Sequence, residues 1–254
     1  MVKLKDLLKR NMPTYGGWIQ IPHPAIVEIM ANTMGDHIDW ICIDMEHGVI
    51  DIESMTNLIR VIESYELTPI VRIPKNDYIW IHRVLDAGAK GIMIPMIKSC
   101  DEAYQAVREC HYPPLGVRSF GYSRSNMYGI DFAAQRKQKI DDVVVILQIE
   151  HIDAMNDLSS ILLTSGADAT FLGPLDLAGS MGLLDDMYGP KFRSVLDKYR
   201  TLSLQHGVSS GIHVLENFEE QLENAVRACY SMIAVGTDAV LLANQCKSIV
   251  EEKK

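Results

Sequence analysis

Apolar positions along the 254-residue chain follow two alternating periods. Short aliphatic and β-branched runs occur at 18–22, 40–46, 68–74, 91–97, 143–150, 169–173, 209–214 and 232–236, each the length of a buried strand. Longer segments separate them, with apolar residues recurring every three or four positions at 52–65, 78–87, 101–110, 153–164, 191–206 and 218–228. That spacing predicts amphipathic helices with one face turned to a core. Strand and helix in repeated alternation imply parallel strands joined by right-handed crossovers. Eight such units in about 250 residues is the size of a closed (β/α)8 barrel, the TIM-barrel fold.

The segments Gly88-Ala89-Lys90-Gly91 and Gly166-Ala167-Asp168-Ala169 each stop a helix and lead into a strand, at equivalent places in two units. No linker rich in Pro, Gly or Ser divides the chain, so one domain over residues 1–254 is expected. Two stretches break the rhythm. Residues 111–142 carry Pro113, Pro114, Gly116, Gly121 and Gly129, with one short helix expected from Phe132. Residues 178–190 carry Gly179, Gly182 and Gly189. Both are read as long loops at the C-terminal ends of strands 4 and 6, the face where barrel active sites lie.

Composition narrows the function. Apolar residues make up 48% and charged residues 22% of the chain, ordinary for a soluble globular protein. A net charge of −9 argues against a nucleic-acid or acidic-membrane partner but leaves small anions open, since a few pocket arginines suffice for those. The five cysteines, Cys42, Cys100, Cys110, Cys229 and Cys246, are scattered and read as free thiols in a reducing compartment. Met1–Arg10 reads as a charged helix rather than an apolar leader, and no apolar run is long enough to span a bilayer. A cytoplasmic location is expected.

In a barrel the informative polar residues stand at the C-terminal tips of strands. Here they are Asp44, Glu46 and His47 after strand 2, Arg72 on strand 3, Gln148 and Glu150 on strand 5, Gly173-Pro174-Leu175-Asp176 after strand 6, and His213 on strand 7. Side chains alternate, so if Val144 and Ile146 fill the interior, Gln148 and Glu150 lean over its mouth. Asp44 and Glu46 likewise share one face of their strand. Glu150 and Asp176 are the best candidates for hard oxygen ligands to Mg²⁺ or Mn²⁺, other divalent ions remaining possible. The competing reading pairs Glu150 with Arg72 at the rim and makes Asp176 a plain helix cap.

His47 beside Asp44 suggests a dyad able to move a proton at neutral pH; a ring satisfied by a loop carbonyl is the alternative. Arg72 is placed to hold an enolate oxygen, and the amides of the Gly173-Pro174 turn to receive a carboxylate. Arg118 and Arg124 are candidates to clamp a second carboxylate, although solvated loop charges fit the sequence alone better. Lys75 and Lys98 keep a Schiff-base mechanism in view, but strands 5, 6 and 7 offer no lysine.

Six motifs in order extend this picture: Asp44-x-Glu46-His47, Val71-Arg72-Ile73-Pro74, Leu85-Asp86-x-Gly88-Ala89-x-Gly91, Pro113-Pro114-x-Gly116-x-Arg118, Gln148-Ile149-Glu150 and Gly173-Pro174-x-Asp176-Leu177-Ala178-x-Ser180-x-Gly182. Together they resemble the HpcH/HpaI aldolases, the metal-dependent class II pyruvate aldolases, from Gly17 to about Gly236. The resemblance implies Glu150 and Asp176 as metal ligands, with a 2-oxo acid chelating the metal and Arg72 steadying the enolate. It further implies Asp44 and His47 as the proton-moving dyad, Gln148 beside the substrate, and the amides around Gly173 on its carboxylate. A homo-oligomer, a trimer of dimers exchanging a C-terminal helix, is implied too.

The sequence departs from the family pattern where the second substrate should lie. Lys75 stands where an aromatic residue is usual, and Ser119 replaces a glycine ahead of Phe120-Gly121-Tyr122-Ser123-Arg124. The Tyr15-Gly16-Gly17-Trp18 start and the Tyr122-Ser123-Arg124-Ser125 loop are similar to a family offshoot, the citrate synthase of staphyloferrin B siderophore biosynthesis. That offshoot condenses acetyl-CoA with oxaloacetate. The expected activity is therefore carbon–carbon bond formation or cleavage through the enolate of a 2-oxo acid, with citrate formation the first alternative. A non-catalytic dicarboxylate-binding barrel is the second.

Overall fold

Alternate residues of each strand face opposite ways, and in this chain the two faces bury two different cores. The computed structural model describes residues 3–130 and 143–251; the helix expected from Phe132 lies outside the described residues. Eight parallel strands close in sequence order: β1 (Thr14–Ile19), β2 (Trp40–Asp44), β3 (Thr68–Arg72), β4 (Gly91–Ile94), β5 (Val144–Ile149), β6 (Ala169–Leu172), β7 (Ser209–Val214) and β8 (Met232–Val235). Strand β8 pairs back to β1, with Tyr15 opposite Ile233. The described helices are α1 (Leu4–Lys9), α2 (Pro24–Met34), α3 (Ile52–Ser64), α4 (Tyr78–Asp86), α5 (Cys100–Cys110), α6 (Ile152–Asn156), α7 (Leu158–Leu162), α8 (Pro174–Ser180), α9 (Pro190–His206), α10 (Phe218–Arg227) and α11 (Asp238–Glu251).

Outward strand residues such as Ile41, Ile43, Val71, Val145, Leu147 and Ile233 join the helices in the larger core. Inward residues form a second cluster of Trp18, Trp40, Cys42, Ile70, Met93, Val144, Ile146, Phe171 and Met232. The same parity carries Gln20, Asp44, Arg72 and Gln148 to the inside of the barrel's C-terminal mouth. Helix α1 closes the other end. Its Leu4 and Leu8 enter the inner cluster, while Lys5 Nζ donates to Val143 O at 2.8 Å and pairs with Asp168 at 3.2 Å.

The structure adjusts three sequence expectations. Strand β1 begins at Thr14 rather than near 18, because Gly16 and Gly17 hide the strand from a count of apolar residues. A Cβ on Gly16 would stand 2.1 Å from the Trp40 ring, so the missing side chain is the space that the indole fills. The helix expected over 153–164 is broken at Asp157, whose carboxylate caps α5 by accepting the Cys100 N–H at 2.7 Å.

The third adjustment concerns the long connection. It does follow β4 in the chain, but only after α5 has run back to the N-terminal ends of the strands. Arg118 there pairs with Asp86 at the end of α4, 2.7 Å apart, and Arg124 binds Glu63 and the Ala87 carbonyl. Its described part therefore lies at the end of the barrel opposite the expected catalytic face. The connection from α8 to α9 is on the expected face. Gly88 does stop its helix with positive φ, at +103°, whereas the helix before Gly166 already ends at Leu162, and Gly166, at φ +94°, turns the loop that leads into β6.

Substituting Gly16→Ala pushes a methyl group into the fully buried Trp40 ring. Urea unfolding should show a loss of about 1–3 kcal/mol, the usual cost of overpacking a core; an unchanged midpoint would mean the indole moves aside freely.

Candidate active site

The tips of β2, β3 and β5, with the start of α8 after β6, bring one guanidinium and four carboxylates to the barrel mouth. Arg72 ends β3, and its Nε and Nη2 donate to Asp44 Oδ1 and Oδ2 at 3.0 and 2.7 Å. Asp44 is fully buried. Its oxygens also accept from Gln20 Nε2 at 3.0 Å and from the backbone amides of Glu46 and His47 at 3.1 and 3.2 Å. Burial pushes the Asp44 carboxyl up, but the bonds from Arg72 outweigh it and hold the group below the ordinary carboxylate value. The Arg72 guanidinium lies 5.0 Å over the Trp18 ring, and its Nη1 comes within 3.1 Å of Glu46 Oε2.

Glu46 is the carboxylate left over. Its Oε2 is buried without a hydrogen-bond partner, and burial raises its pKa, assisted by Asp44 and Asp176 and opposed by Arg72. The expected ring contact between Asp44 and His47 is not formed. Asp44 instead holds the backbone amide of His47, and the ring's Nε2 stands 4.0 Å from Glu46 Oε2, largely exposed.

Glu150 follows β5 and is buried. Its Oε1 accepts the Met96 N–H at 2.7 Å and its Oε2 accepts Gln148 Nε2 at 2.7 Å. Met96 adopts φ +56°, uncommon for a residue with a side chain, so the amide is aimed at the carboxylate against a local conformational cost. Arg72 is committed to Asp44 and Glu46 rather than forming a rim pair with Glu150. Burial pushes the Glu150 carboxyl up to about 7, with Glu46 and Asp176 adding repulsion.

Gly173 makes this packing possible. A Cβ there would stand 2.7 Å from Glu150 Oε2 and 3.3 Å from Gln148 Nε2. Its N–H donates to Ile149 O at 3.0 Å, so it is not available to a substrate as expected. Pro174 has no N–H, which leaves Leu175 and Asp176 as the amides at the start of α8. Asp176 is exposed and lines the cavity.

That cavity has a volume of about 340 Å³. Trp18, Gln20, His47, Arg72, Gln148, Gly173, Pro174, Asp176 and His213 are on its walls, and among the described residues no lysine is. Arg118 and Arg124 lie outside it, tied to Asp86 and to Glu63. Trp18 and Gln20 both fall in the strand expected over 18–22 but are not among the site residues read from the sequence; the period-2 step from one to the other is their signal.

The residues fit a divalent cation. Asp176 raises the proton affinity of Glu46 and of Glu150, Glu46 adds to that of Glu150, the buried Gln148 Oε1 has no partner, and a glycine leaves room beside Glu150. Among the described residues no three or more His, Cys, Asp or Glu side chains close a metal cage. Were Glu150 and Asp176 to hold the ion, coordination positions would remain for substrate and water, the open arrangement of a catalytic rather than a storage site.

Between about pH 4.5 and pH 7 the Glu150 carboxyl keeps in the folded chain a proton that the unfolded chain has lost. The folded state binds the extra proton, so Glu150 makes stability fall as pH rises through that window. Thermal unfolding of the metal-free protein should show the decline, and Glu150→Gln should remove it. Mg²⁺ binding, followed by calorimetry, should tighten over the same window in the wild type; a pH-independent affinity contradicts a protonated Glu150.

The HpcH/HpaI aldolase/citrate lyase family model matches residues 15–245. The chain is 32% identical over 249 residues to the 4-hydroxy-2-oxo-heptane-1,7-dioate aldolase of Salmonella dublin, covering 96% of this chain and 92% of that one. A crystal structure of an HpcH/HpaI aldolase/citrate lyase family protein from Burkholderia cenocepacia superposes with a TM-score of 0.90 at 30% identity, over 98% of both chains. The citrate synthase SbnG shares the fold, with a TM-score of 0.85 at 24% identity over 100% of this chain and 98% of that one. With a family match spanning the barrel from β1 into the last helix, the chain belongs to the HpcH/HpaI aldolase/citrate lyase family.

Proposed function

We propose that this enzyme makes and breaks the carbon–carbon bond beyond C3 of a 4-hydroxy-2-oxo acid, as a metal-dependent aldolase. The observation that carries the reading is a fixed Arg72 cation and Asp176 on the wall of one cavity, beside a buried Glu150 whose ionisation both Glu46 and Asp176 oppose. Glu150 and Asp176 are the residues that would hold Mg²⁺ or Mn²⁺, and the bound ion supplies positive charge that polarises the keto group of the 2-oxo acid.

Arg72 adds a second, permanent positive charge for the negative charge that grows on the keto oxygen. Asp44 and Gln20 hold Arg72 in place, so little reorganisation accompanies the reaction. The amides of Leu175 and Asp176, with Gln148, border the space for the substrate carboxylate. Asp44 stays ionised and serves as an anchor. Proton movement at the second carbonyl falls to His47 with Glu46, the exposed ring and the acid whose pKa is raised. Among the described residues the cavity wall offers no lysine for a Schiff base.

A second reading concerns assembly. Helix α11 leaves Leu242, Ile249 and Val250 half or more exposed. An apolar groove of about 610 Å³ lies between α2 and α10, lined by Tyr15, Met34, Ile38, Leu222, Val226 and Val235. In a closed barrel that groove is the seat of the eighth helix. Helix α11 fits the groove of a second copy, which makes the working form a homo-oligomer. Among the described residues no helix is long and apolar enough to cross a membrane, in keeping with a cytoplasmic enzyme.

Proton exchange at C3 of pyruvate in D₂O should be visible by NMR with Mg²⁺ or Mn²⁺. Arg72→Ala should slow it about 10²–10³-fold, and Glu150→Gln with Asp176→Asn should abolish it. Full exchange in the double variant would end the metal reading, whereas CoA release from acetyl-CoA plus oxaloacetate, without C3 exchange, would mark the citrate-forming route. In sedimentation velocity, Leu242→Glu with Ile249→Glu should yield a smaller species than the wild type. A monomeric wild type would sink helix exchange.

A further inference from the structure

His213 takes no part in the chemistry assigned above, yet its ring is in the wall of the same cavity. It occupies an inward position on β7, between the outward Ile212 and Val214. Its ring lies 4.7 Å from that of Trp18, the ring on which Arg72 rests. Its Nε2 is 3.1 Å from the Gly236 carbonyl oxygen. A carbonyl oxygen only accepts, so that contact requires the hydrogen to sit on Nε2. In the neutral ring Nδ1 then carries a bare lone pair.

The charge state follows from the surroundings. Burial lowers the His213 pKa to about 4; the Gly236 carbonyl and Asp44 oppose the shift and Arg72 adds to it. The ring is therefore neutral under physiological conditions, with its tautomer fixed. The neighbouring walls supply little competition. Phe171, Leu215 and Val240 are apolar, and the Thr237 hydroxyl oxygen already accepts the Val240 N–H at 3.1 Å.

We infer that Nδ1 of His213 is a specificity-determining acceptor that receives a hydrogen bond from a hydroxyl group of the substrate. The ligand class is a small hydroxylated carbonyl compound, either a 3-hydroxylated 2-oxo acid as the nucleophilic partner or a 2-hydroxyaldehyde as the electrophilic one. A carboxylate at this spot would meet a lone pair instead of a donor. The inference rests on the proposed reaction for its substrates, but the contact itself is a matter of binding.

Two matched pairs separate the sources: hydroxypyruvate against pyruvate, and glycolaldehyde against propionaldehyde, which exchanges the hydroxyl for a methyl group. The wild type should favour the hydroxylated member of one pair in kcat/KM, and His213→Leu should reduce that ratio about 5–10-fold, the worth of one neutral hydrogen bond. His213→Gln, which keeps an acceptor, should retain much of the ratio. Preference within the first pair assigns the hydroxyl to the nucleophile, within the second to the aldehyde. The binding arm uses calorimetry of hydroxypyruvate and pyruvate with Mg²⁺, together with ¹⁵N NMR of the wild-type His213 ring. It reads the same contact without turnover, so a failed aldol reaction and a failed contact are told apart. No preference in either pair for the wild type, an equal preference in His213→Leu, or a protonated Nδ1 in the NMR spectrum overturns the inference.

Discussion

The barrel mouth is organised around one buried ion pair, Arg72 with Asp44. Both groups are out of water, and removing either partner from such a pair typically costs ~3–5 kcal/mol because the other charge is left uncompensated. The surroundings answer that demand. Gln20 and the amides of Glu46 and His47 complete the hydrogen bonding of Asp44, and the Trp18 face supports the guanidinium. The pair fixes the tips of β2 and β3 together and sets the direction in which the loop after β2 leaves the barrel.

With Asp44 satisfied, the remaining acids are crowded without a full set of partners. Asp176 opposes ionisation of both Glu46 and Glu150, and Glu46 opposes that of Glu150. A folded protein optimised only for stability would relieve that repulsion. Here further local costs collect at the same place: a left-handed Met96, a lone buried amide oxygen on Gln148, and a glycine where a side chain would collide with Glu150. Such departures from local preference gather where binding of a cation and an anionic substrate compensates them.

Cavity size alone would have pointed elsewhere. The apolar groove between α2 and α10, about 610 Å³, is larger than the polar cavity of about 340 Å³ at the barrel mouth. Helix α11 borders the polar cavity through Val240. Its first residue, Asp238, accepts the amides of Gln20 and Ile21 at 2.9–3.1 Å, and Gln20 in turn donates to Asp44. Helix α11 is thus anchored two hydrogen bonds from the central ion pair.

The alternation of strand and helix, and the parity that turns Asp44, Gln148 and Glu150 inward, were legible in sequence because both are local. A side chain's face follows from its neighbours two positions away. Glycine concealed the start of β1, since an absent side chain leaves no periodic mark, and the position of the Arg118 loop was misplaced because a loop's address depends on where the preceding helix ends. Which acid pairs with Arg72 could not be read at all: Asp44, Glu46 and Glu150 are equivalent as residue types. Only closure of the ring, which sets β2 beside β3 and places Met96 against Glu150, decided that Asp44 became the ionised anchor and that Glu46 and Glu150 were left with raised proton affinity.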